Sequence, residues 1–170
     1  MKNFSDYDNA VADYYKKSGI NPVPLISMEF QQQFVNALNS IHADARRLEK
    51  LAKNFHWSFN LDFESKLRQQ TILVTDASLS IVFASENMIR MNGYKESEVL
   101  GKSPKMFQGK NTNAETSKAI RVAVQNQQPF ESTILNYRKN GTAYNCHIQG
   151  FPVFDRDGKL CHFIAFETAA

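Results

Sequence analysis

The chain has 170 residues, of which 42% are hydrophobic and 13 are phenylalanine. This is enough apolar material for one compact domain with an appendage, or for two very small domains. The formal net charge is +3, and basic residues such as Arg46, Arg47 and Lys50 are mixed with Asp44 and Glu49. Such mixing is typical of a solvated helix face. Because nucleic-acid binding needs a dense basic patch, we expect no nucleic-acid partner.

The sequence shows no targeting signal or membrane span. The N-terminus lacks the apolar core of a signal peptide, and no run approaches the roughly 18 apolar residues of a membrane helix. The two cysteines, Cys146 and Cys161, are too few for a disulfide framework. We therefore expect a cytoplasmic protein that does not bind membranes.

The first part of the sequence is helical in pattern. One helix is predicted from a cap at Ser5 to Gly19, and the prolines of residues 21–24 predict a stiff connector. A longer helix is predicted from a cap at Ser27 to about Asn54. Its apolar residues repeat every three or four positions and form a heptad seam, which consists of Phe30, Phe34, Leu38, Ile41, Ala45, Leu48, Ala52 and Phe55. This seam fits two arrangements equally well: packing on the chain's own elements, or a dimer contact.

A change of pattern follows the long helix. Trp57, Phe59, Leu61 and Phe63 alternate with polar residues, which predicts an extended, half-buried linker in which Trp57 is part of the core. We place the domain boundary after this linker, near residue 70, with an N-terminal helical extension at 1–69 and a second domain at 70–170.

The second domain has the pattern of an α+β fold. Strands are predicted at 71–75, 80–83, 131–137, 142–151 and 160–167, with hairpin turns at Asn140-Gly141 and Asp157-Gly158. Ser85 is predicted to cap a short helix over 86–91. A longer helix over 112–126 is predicted to be capped by Asn113 or Thr112, with a buried face made of Ala119, Ile120, Ala123 and Val124. The order predicts an antiparallel sheet with helices over one face.

The segment 92–109 between these strands reads as the wall of a ligand pocket. Asn92-Gly93 is predicted to end one short helix, because glycine tolerates the left-handed conformation at helix ends. A further helical turn over 95–100 is predicted to end at Gly101. Short helices that end in glycine are typical of a wall around a pocket and not of a packed bundle.

These elements and their residues resemble the PAS family of sensor domains over residues 71–168. The resemblance is carried by Thr75-Asp76, Asn92-Gly93-Tyr94, the Glu98-Val99-Leu100-Gly101 turn, the segment 136–141, and Asp157-Gly158 followed by Phe163-Ile164. Within that family the sequence is similar to the flavin-binding blue-light (LOV) group. The resemblance implies a PAS fold with a five-stranded antiparallel sheet, and a pocket that in the LOV group holds a flavin (FMN or FAD).

The resemblance also implies which residues would contact such a cofactor. Gln108 and Asn136 match polar residues that hold the flavin ring, whereas Cys146 replaces an asparagine and Glu167 replaces a glutamine that relays the signal. At the phosphate end Arg121 matches an arginine, and Lys105 replaces another. Pro104 stands where the group has its photoactive cysteine. Since proline has no nucleophile, the resemblance excludes adduct photochemistry through this position.

Glu167 is open to two interpretations. If it points inward with Asn136 and Gln108, three polar groups converge in an apolar pocket, where a buried carboxyl has a raised pKa or a donor partner. Alternatively, it is solvated near the end of its strand. Arg121 and Lys105 likewise fit a phosphate site or a solvated surface.

Other kinds of site have less support. Cys146-His147 and Cys161-His162 resemble metal ligands, but the predicted hairpin places Cys146 opposite about residue 167 and Cys161 opposite about 152, too far apart to share an ion. The helix over 112–126 has no histidine for a haem. No nucleophile lies beside a histidine in any recognisable pattern, so we expect no enzyme and no metal.

The sequence therefore predicts a sensory or protein-interaction module that binds an unidentified small ligand or a protein partner. We expect a homodimer that signals through the helix from Ser27 to Asn54, which can pack in two arrangements. The alternative is a flavin-binding photoreceptor or redox sensor that works without the cysteine adduct.

Overall fold

The computed structural model describes residues 13, 14, 17 and 28–170. The chain divides into two compact units, Met1–Ala37 and Leu38–Ala170. The three described residues before position 28 are helical. The predicted helix ends at Ser5 and Gly19, the connector at 21–24 and the cap at Ser27 lie outside the described residues.

Residues 28–170 form the helices and strands of an α+β fold. The α-helices are α1 (Met28–Asn54), α2 (Phe63–Gln69), α3 (Met88–Asn92), α4 (Glu96–Val99) and α5 (Ala114–Gln125). A 3₁₀ turn, η1, covers Pro104–Phe107. The strands are β1 (Thr71–Asp76), β2 (Ile81–Ala84), β3 (Phe130–Tyr137), β4 (Ala143–Phe154) and β5 (Leu160–Ala169).

The five strands form one antiparallel sheet in the order β2-β1-β5-β4-β3. This is the predicted sheet, and both predicted hairpin turns are present. Gly141 and Gly158 adopt φ values of 84° and 80°, a region that favours glycine. Their amide groups donate to the carbonyl oxygens of Arg138 and Asp155, which closes each turn.

The β4–β5 register differs from the predicted one by two residues. Cys146 lies opposite Ala169, and Glu167 lies opposite Ile148. A bulge at Val153/Phe154 and a turn that is longer than assumed cause this shift. Side chains alternate between the two faces of a sheet, so the even shift leaves Cys146 and Glu167 on the same face.

One face of the sheet is covered by the part of α1 from Leu38 onward. From Leu38 onward, α1 packs Ala45 and Leu48, both buried, against the sheet, and Ile41, Leu51 and Ala52 lie beside them. The sheet contributes Ile72, Val74, Phe83, Val153, Ile164 and Phe166 to this cluster. This part of the heptad seam therefore packs on the chain's own sheet, the first of the two predicted arrangements.

The mixed charges of α1 are only partly solvated. The predicted solvated face holds for Arg46, Glu49 and Lys50, which are exposed, but Asp44 is buried. Its carboxylate accepts a hydrogen bond from the Glu86 backbone N–H at 2.7 Å, in the turn between β2 and α3. Because that turn comes close only in the folded chain, the local charge pattern could not reveal this contact.

The prediction of an extended linker over Trp57 to Phe63 is wrong at its end, where helix α2 begins. Asp62 caps this helix by accepting a hydrogen bond from the Ser65 N–H at 3.0 Å, and Phe63 and Leu67 are buried one turn apart. Trp57 is 6% exposed and its indole N–H donates to Nδ1 of His162 at 3.2 Å. The prediction that Trp57 belongs to the core is confirmed.

Two cap predictions have different outcomes. Asn113 caps α5 by accepting from the Thr116 N–H at 2.9 Å, as predicted. Ser85 does not cap α3, since its hydroxyl accepts from the Ile72 N–H and donates to Asn87. It joins β1 to the turn before α3 instead. The predicted helix end at Gly93 is confirmed by its φ of 83°.

Two observations on the described residues concern membranes and metal ions. No helix among them is long and apolar enough to cross a membrane. Among these residues there is also no group of three or more His, Cys, Asp and Glu side chains that could hold a metal ion. The predicted domain boundary between residues 69 and 70 stays a prediction. In the structure, α1 from Leu38 onward shares a core with the sheet.

Candidate ligand-binding cavity

A cavity of about 390 Å³ lies between the other face of the sheet and the helical segments that follow β2. Its volume is in the range of small-molecule sites. Most of its wall is apolar and includes Leu73, Phe107, Ile120, Ile134, Ile148 and Phe163. The wall is formed by η1 and α5 on one side and by strands β1, β3, β4 and β5 on the other.

Helix α5 is packed less tightly than predicted, because its inner face borders this cavity. Ile120, Ala123 and Val124 are only half-buried, and Ala119 is exposed, which corrects the predicted buried face. Ile120 and Val124 line the cavity together with Ser117 and Arg121. A helix that borders a cavity of this size has fewer partner atoms for its apolar side chains.

Two buried polar atoms on the cavity wall have no hydrogen-bond partner. Asn136, on β3, is 4% exposed, and its side-chain Oδ1 has no partner. Thr75, on β1, is 5% exposed, and its hydroxyl also has none. Leaving such an atom unpaired costs about 1–3 kcal/mol, so most buried polar groups in proteins are paired. Both atoms are therefore candidates for contact with a ligand.

Glu167, on β5, points into the cavity and is 5% exposed. This decides between its two predicted positions in favour of the inward one. Burial raises the pKa of its carboxyl to about 7. The Cys146 thiol donates a hydrogen bond to its Oε2 at 3.7 Å.

Cys146 lies in a different place from the other predicted site residues. It is fully buried on β4 and does not line the cavity, and its thiol contacts Glu167 on the cavity wall. Burial raises the pKa of its thiol well above the ordinary value, which keeps it protonated. The other cysteine, Cys161, is also absent from the cavity wall.

Gln108 follows η1 and connects it to α5. Its Oε1 accepts a hydrogen bond from the Ser117 hydroxyl at 3.0 Å, and both side chains line the cavity. Arg121 lies one helical turn after Ser117 on the same side of α5, and Lys105 lies on η1. Both cations are exposed, so the cavity has a positively charged edge that is open to solvent.

Pro104 is the first residue of η1 and forms part of the cavity wall. Its fixed φ suits the first position of a helical turn, where no N–H is needed. The Ser103 side chain before it accepts a hydrogen bond from the Lys105 N–H at 3.4 Å. The wall therefore has an ordinary helical start at this position and offers no reactive group there.

Sequence reasoning missed some lining residues. Thr75 and Ser117 were not among the predicted site residues, although simple spacings point to them. Thr75 is two positions after Leu73 and so faces the same side of β1, and Ser117 is four positions before Arg121 on a helix. Of the six predicted residues, Gln108, Asn136, Glu167, Lys105 and Arg121 line the cavity, and Cys146 does not. Their role in binding stays a prediction.

Comparison with known families matches residues 69–168 to the model of the PAS domain. The match covers more than half of the chain. This chain belongs to the PAS domain family. The predicted family and fold are thereby confirmed.

This PAS domain is similar to several curated proteins. It is 38% identical over 99 residues to Protein TWIN LOV 1 of Arabidopsis thaliana, which is 56% of this chain and 25% of that protein. It is 36% identical over 103 residues to Phototropin-2 of Oryza sativa subsp. japonica, covering 59% of this chain and 11% of the relative. A blue-light-activated histidine kinase of Brucella canis is 32% identical over 97 residues, which are 55% of this chain and 20% of that protein.

Solved structures show the same similarity. The dark structure of the blue-light photoreceptor Aureochrome1 LOV superposes with a TM-score of 0.60 at 25% identity, over 66% of this chain and 86% of that one. The LOV domain of the blue-light-activated histidine kinase from Erythrobacter litoralis EL346 gives a TM-score of 0.56 at 25% identity, over 59% and 95%. The PAS domain here therefore has the LOV fold, and it spans a quarter or less of the curated relatives' length.

Proposed function

We propose that this PAS domain is a sensory module that holds a small organic ligand in its cavity and passes the ligand's state to a partner through helix α1. The observation that carries the proposal is the unpaired, buried Oδ1 of Asn136 on the wall of an otherwise apolar cavity. Ligand sites in proteins combine an apolar wall with a few polar groups that set the ligand's orientation. The proposed role is not catalytic.

The wall indicates what kind of ligand fits. An apolar, flat body would lie between the sheet and α5, with polar atoms at Asn136 and Thr75. An anionic group would meet Lys105 and Arg121 at the exposed edge. Such a ligand is amphipathic, with a ring at one end and an acid at the other.

Flavin is the specific candidate that the relatives favour. Several of them are named for blue light, and one similar structure concerns a flavin analogue in a light-oxygen-voltage domain. The residues fit in part: Asn136 has an unpaired oxygen, Gln108 offers an amide, and Lys105 with Arg121 could hold a phosphate. A bound flavin would supply visible absorption and redox chemistry. Pro104 on the wall supplies no thiol, so we propose a flavin sensor that works without the cysteine adduct.

The output route we propose is helix α1. From Leu38 onward it covers the sheet face opposite the cavity, and strands β1 and β5 carry residues of both faces. Phe34, near the start of the helix, is 58% exposed, and this exposed part of the seam is the contact that we propose for a second copy. The homodimer and any other partner remain proposals.

The experiment that tests the proposal is native mass spectrometry of freshly purified protein, combined with its visible absorption spectrum. We expect a bound molecule that is released on denaturation, and for flavin the absorption bands of the oxidised ring. Illumination should leave no covalent flavin on the polypeptide. A protein that carries no ligand and takes up none from a cell extract would overturn the proposal. A colourless protein with another bound molecule would overturn only the flavin candidate.

A further inference from the structure

Glu167 is a buried carboxyl on the wall of an apolar cavity, and its surroundings stabilise its negative charge poorly. Its recorded donor is the Cys146 thiol, at 3.7 Å. Thiols are weak donors. An ionised carboxylate at 5% exposure ordinarily has several backbone donors or a cation beside it.

The groups around Glu167 add no positive charge. Its cross-strand neighbours, Thr71 on β1 and Ile148 on β4, do not ionise near neutral pH. Tyr144 and Cys146 on β4 do ionise, but burial raises the pKa of both, so they are neutral at physiological pH. Among residues 28–170, no lysine, arginine or histidine forms an ion pair with Glu167.

The two cations of the cavity lie at its exposed edge. Lys105 on η1 and Arg121 on α5 are both in contact with solvent, and water screens their effect on a carboxyl at the buried wall. A ligand that fills the cavity would displace solvent from beside Glu167. Removing that solvent favours the neutral, protonated form of the carboxyl still further.

We propose that Glu167 is a specificity-determining residue of this cavity, which selects a neutral ligand edge that accepts a hydrogen bond from its protonated carboxyl. The ligand class is a neutral heterocycle with a carbonyl or a bare ring nitrogen at that edge. The proposal rests on the proposed function, since it requires a ligand in the cavity. Glutamine at this position would offer the same donor at every pH, whereas Glu167 offers it only when protonated.

This makes ligand binding dependent on a proton. At low pH the carboxyl already carries the proton, and affinity does not change with pH. Above the pKa of the free protein, binding must take up one proton, so affinity falls by about tenfold for each pH unit. A ligand that donated a hydrogen bond to an ionised Glu167, or carried a positive charge, would show the opposite slope.

The test uses riboflavin as the probe. Its ring is neutral from mildly acidic to mildly alkaline pH, and it lacks the phosphate of FMN, which would itself titrate. Dissociation constants would be measured from the flavin fluorescence at pH values from 6 to about 8.5, a range chosen because burial places the pKa of Glu167 at about 7. We expect constant affinity at the acidic end and a loss of about tenfold or more at the alkaline end.

Three variants separate the role of Glu167 from a general effect. Glu167→Gln should bind riboflavin with an affinity that does not depend on pH. Cys146→Ser replaces the thiol by a better donor, so the pH at which affinity begins to fall should move down. Glu131→Gln, at an exposed glutamate on β3, is the matched control and should keep the wild-type profile.

Each other outcome has one meaning. Riboflavin binding with a flat or opposite pH profile, or a Glu167→Gln variant that keeps the wild-type slope, overturns this proposal and leaves the proposed function standing. If neither the wild type nor Glu167→Gln binds riboflavin at any pH, the ligand class named here is wrong. Native mass spectrometry then decides separately whether the cavity holds some other molecule, as the proposed function requires.

Discussion

At the scale of single residues, three side chains on the wall of the cavity determine what kind of ligand contact it can make. Asn136 has an unpaired oxygen, Glu167 has one weak donor, and Pro104 has no reactive atom. The first two are costly for an empty domain, and the third removes one kind of chemistry. The wall is therefore suited to noncovalent binding of a molecule, and it cannot form a covalent bond with that molecule at Pro104.

The charge of Glu167 should be visible in the stability of the ligand-free protein. Its pKa is about 7 in the folded protein and 4.5 ordinarily, so the folded state holds the proton more tightly. This contribution is fully present below pH 4.5 and is lost as the pH rises through 7; it amounts to roughly 3 kcal/mol. Urea unfolding of the wild type and Glu167→Gln at several pH values measures it.

We expect the free energy of unfolding of the wild type, relative to that of Glu167→Gln, to fall as the pH rises from 4.5 to 7. Above pH 7 the difference between the two proteins should stay level. Glu49→Gln serves as the control, because Glu49 is exposed and forms no ion pair among the described residues. Parallel pH profiles for the wild type and Glu167→Gln would show that Glu167 is ionised at no cost in the folded protein.

Sequence reasoning reached most of this wall but not its hydrogen bonds. Five of the six residues that the resemblance indicates lie on the cavity wall, and their role in binding stays a prediction. The predicted hairpin brings Cys146 close to residue 167, but it does not show the hydrogen bond from the thiol to the carboxyl. In the structure a bulge at Val153/Phe154 and a longer turn together shift the β4–β5 register by two residues, and Cys146 still reaches Glu167 on the same face of the sheet.

At the scale of elements, α1 is attached to the sheet by apolar packing and by one polar network. Asp44 accepts from the Glu86 N–H, and Arg47 donates to both carboxylate oxygens of Glu96 at 2.6 and 2.7 Å. The same Glu96 accepts from the Ala84 N–H at 3.1 Å. These contacts connect α1 to the end of β2, to the turn that follows it and to α4.

Asp44→Ala should weaken this attachment. The substitution removes a hydrogen bond between the Glu86 N–H and a buried carboxylate, which is worth about 1–3 kcal/mol of unfolding free energy. Burial raises the pKa of Asp44, so part of the loss is offset by removing a buried charge. Urea unfolding at neutral pH measures the change.

Glu49→Ala is the matched control for Asp44→Ala, since Glu49 is an exposed acid on the same helix. It should change the unfolding free energy by less than about 0.5 kcal/mol. An equal effect of the two substitutions would mean that Asp44 is no more than another surface charge.

The elements themselves were predictable to differing degrees. All five strands and α5 follow from short apolar runs between turn residues, and the structure has them close to the predicted bounds. Helix α2 was missed because Phe59, Leu61 and Phe63 alternate, although Asp62 and Ser65 carry the signal of a helix cap. A seven-residue helix offers too few turns for its period to stand out.

At the scale of the whole molecule, the sheet lies between the ligand cavity and the part of α1 from Leu38 onward. Ala45 and Leu48 are buried on the sheet, whereas Phe34, on the same seam, is 58% exposed. Large apolar side chains are costly to leave in water when they can be covered. In the proposed dimer, the same seam of a second copy of the chain covers this exposed side chain.

We expect the wild type to form a dimer and the double variant Phe34→Glu/Leu38→Glu to dissociate at least about tenfold more readily, since burying each phenylalanine contributes roughly 2 kcal/mol. Sedimentation equilibrium over a range of concentrations measures both. Gln33→Glu adds a charge at an exposed neighbouring position and should leave the dimer intact. A wild-type protein that is monomeric at every concentration would exclude this contact.

One further consequence concerns Trp57, the only tryptophan of the chain. Its indole lies just beyond the end of α1, packs near Phe63 and donates to His162, on the side of the sheet away from the cavity. The protein thus has a built-in fluorescent reporter at the place where the helix joins the sheet. Lifting this junction would bring water to the indole and shift its emission to longer wavelength. Adding a ligand to the cavity and recording that shift would show, without any label, whether a signal crosses the sheet.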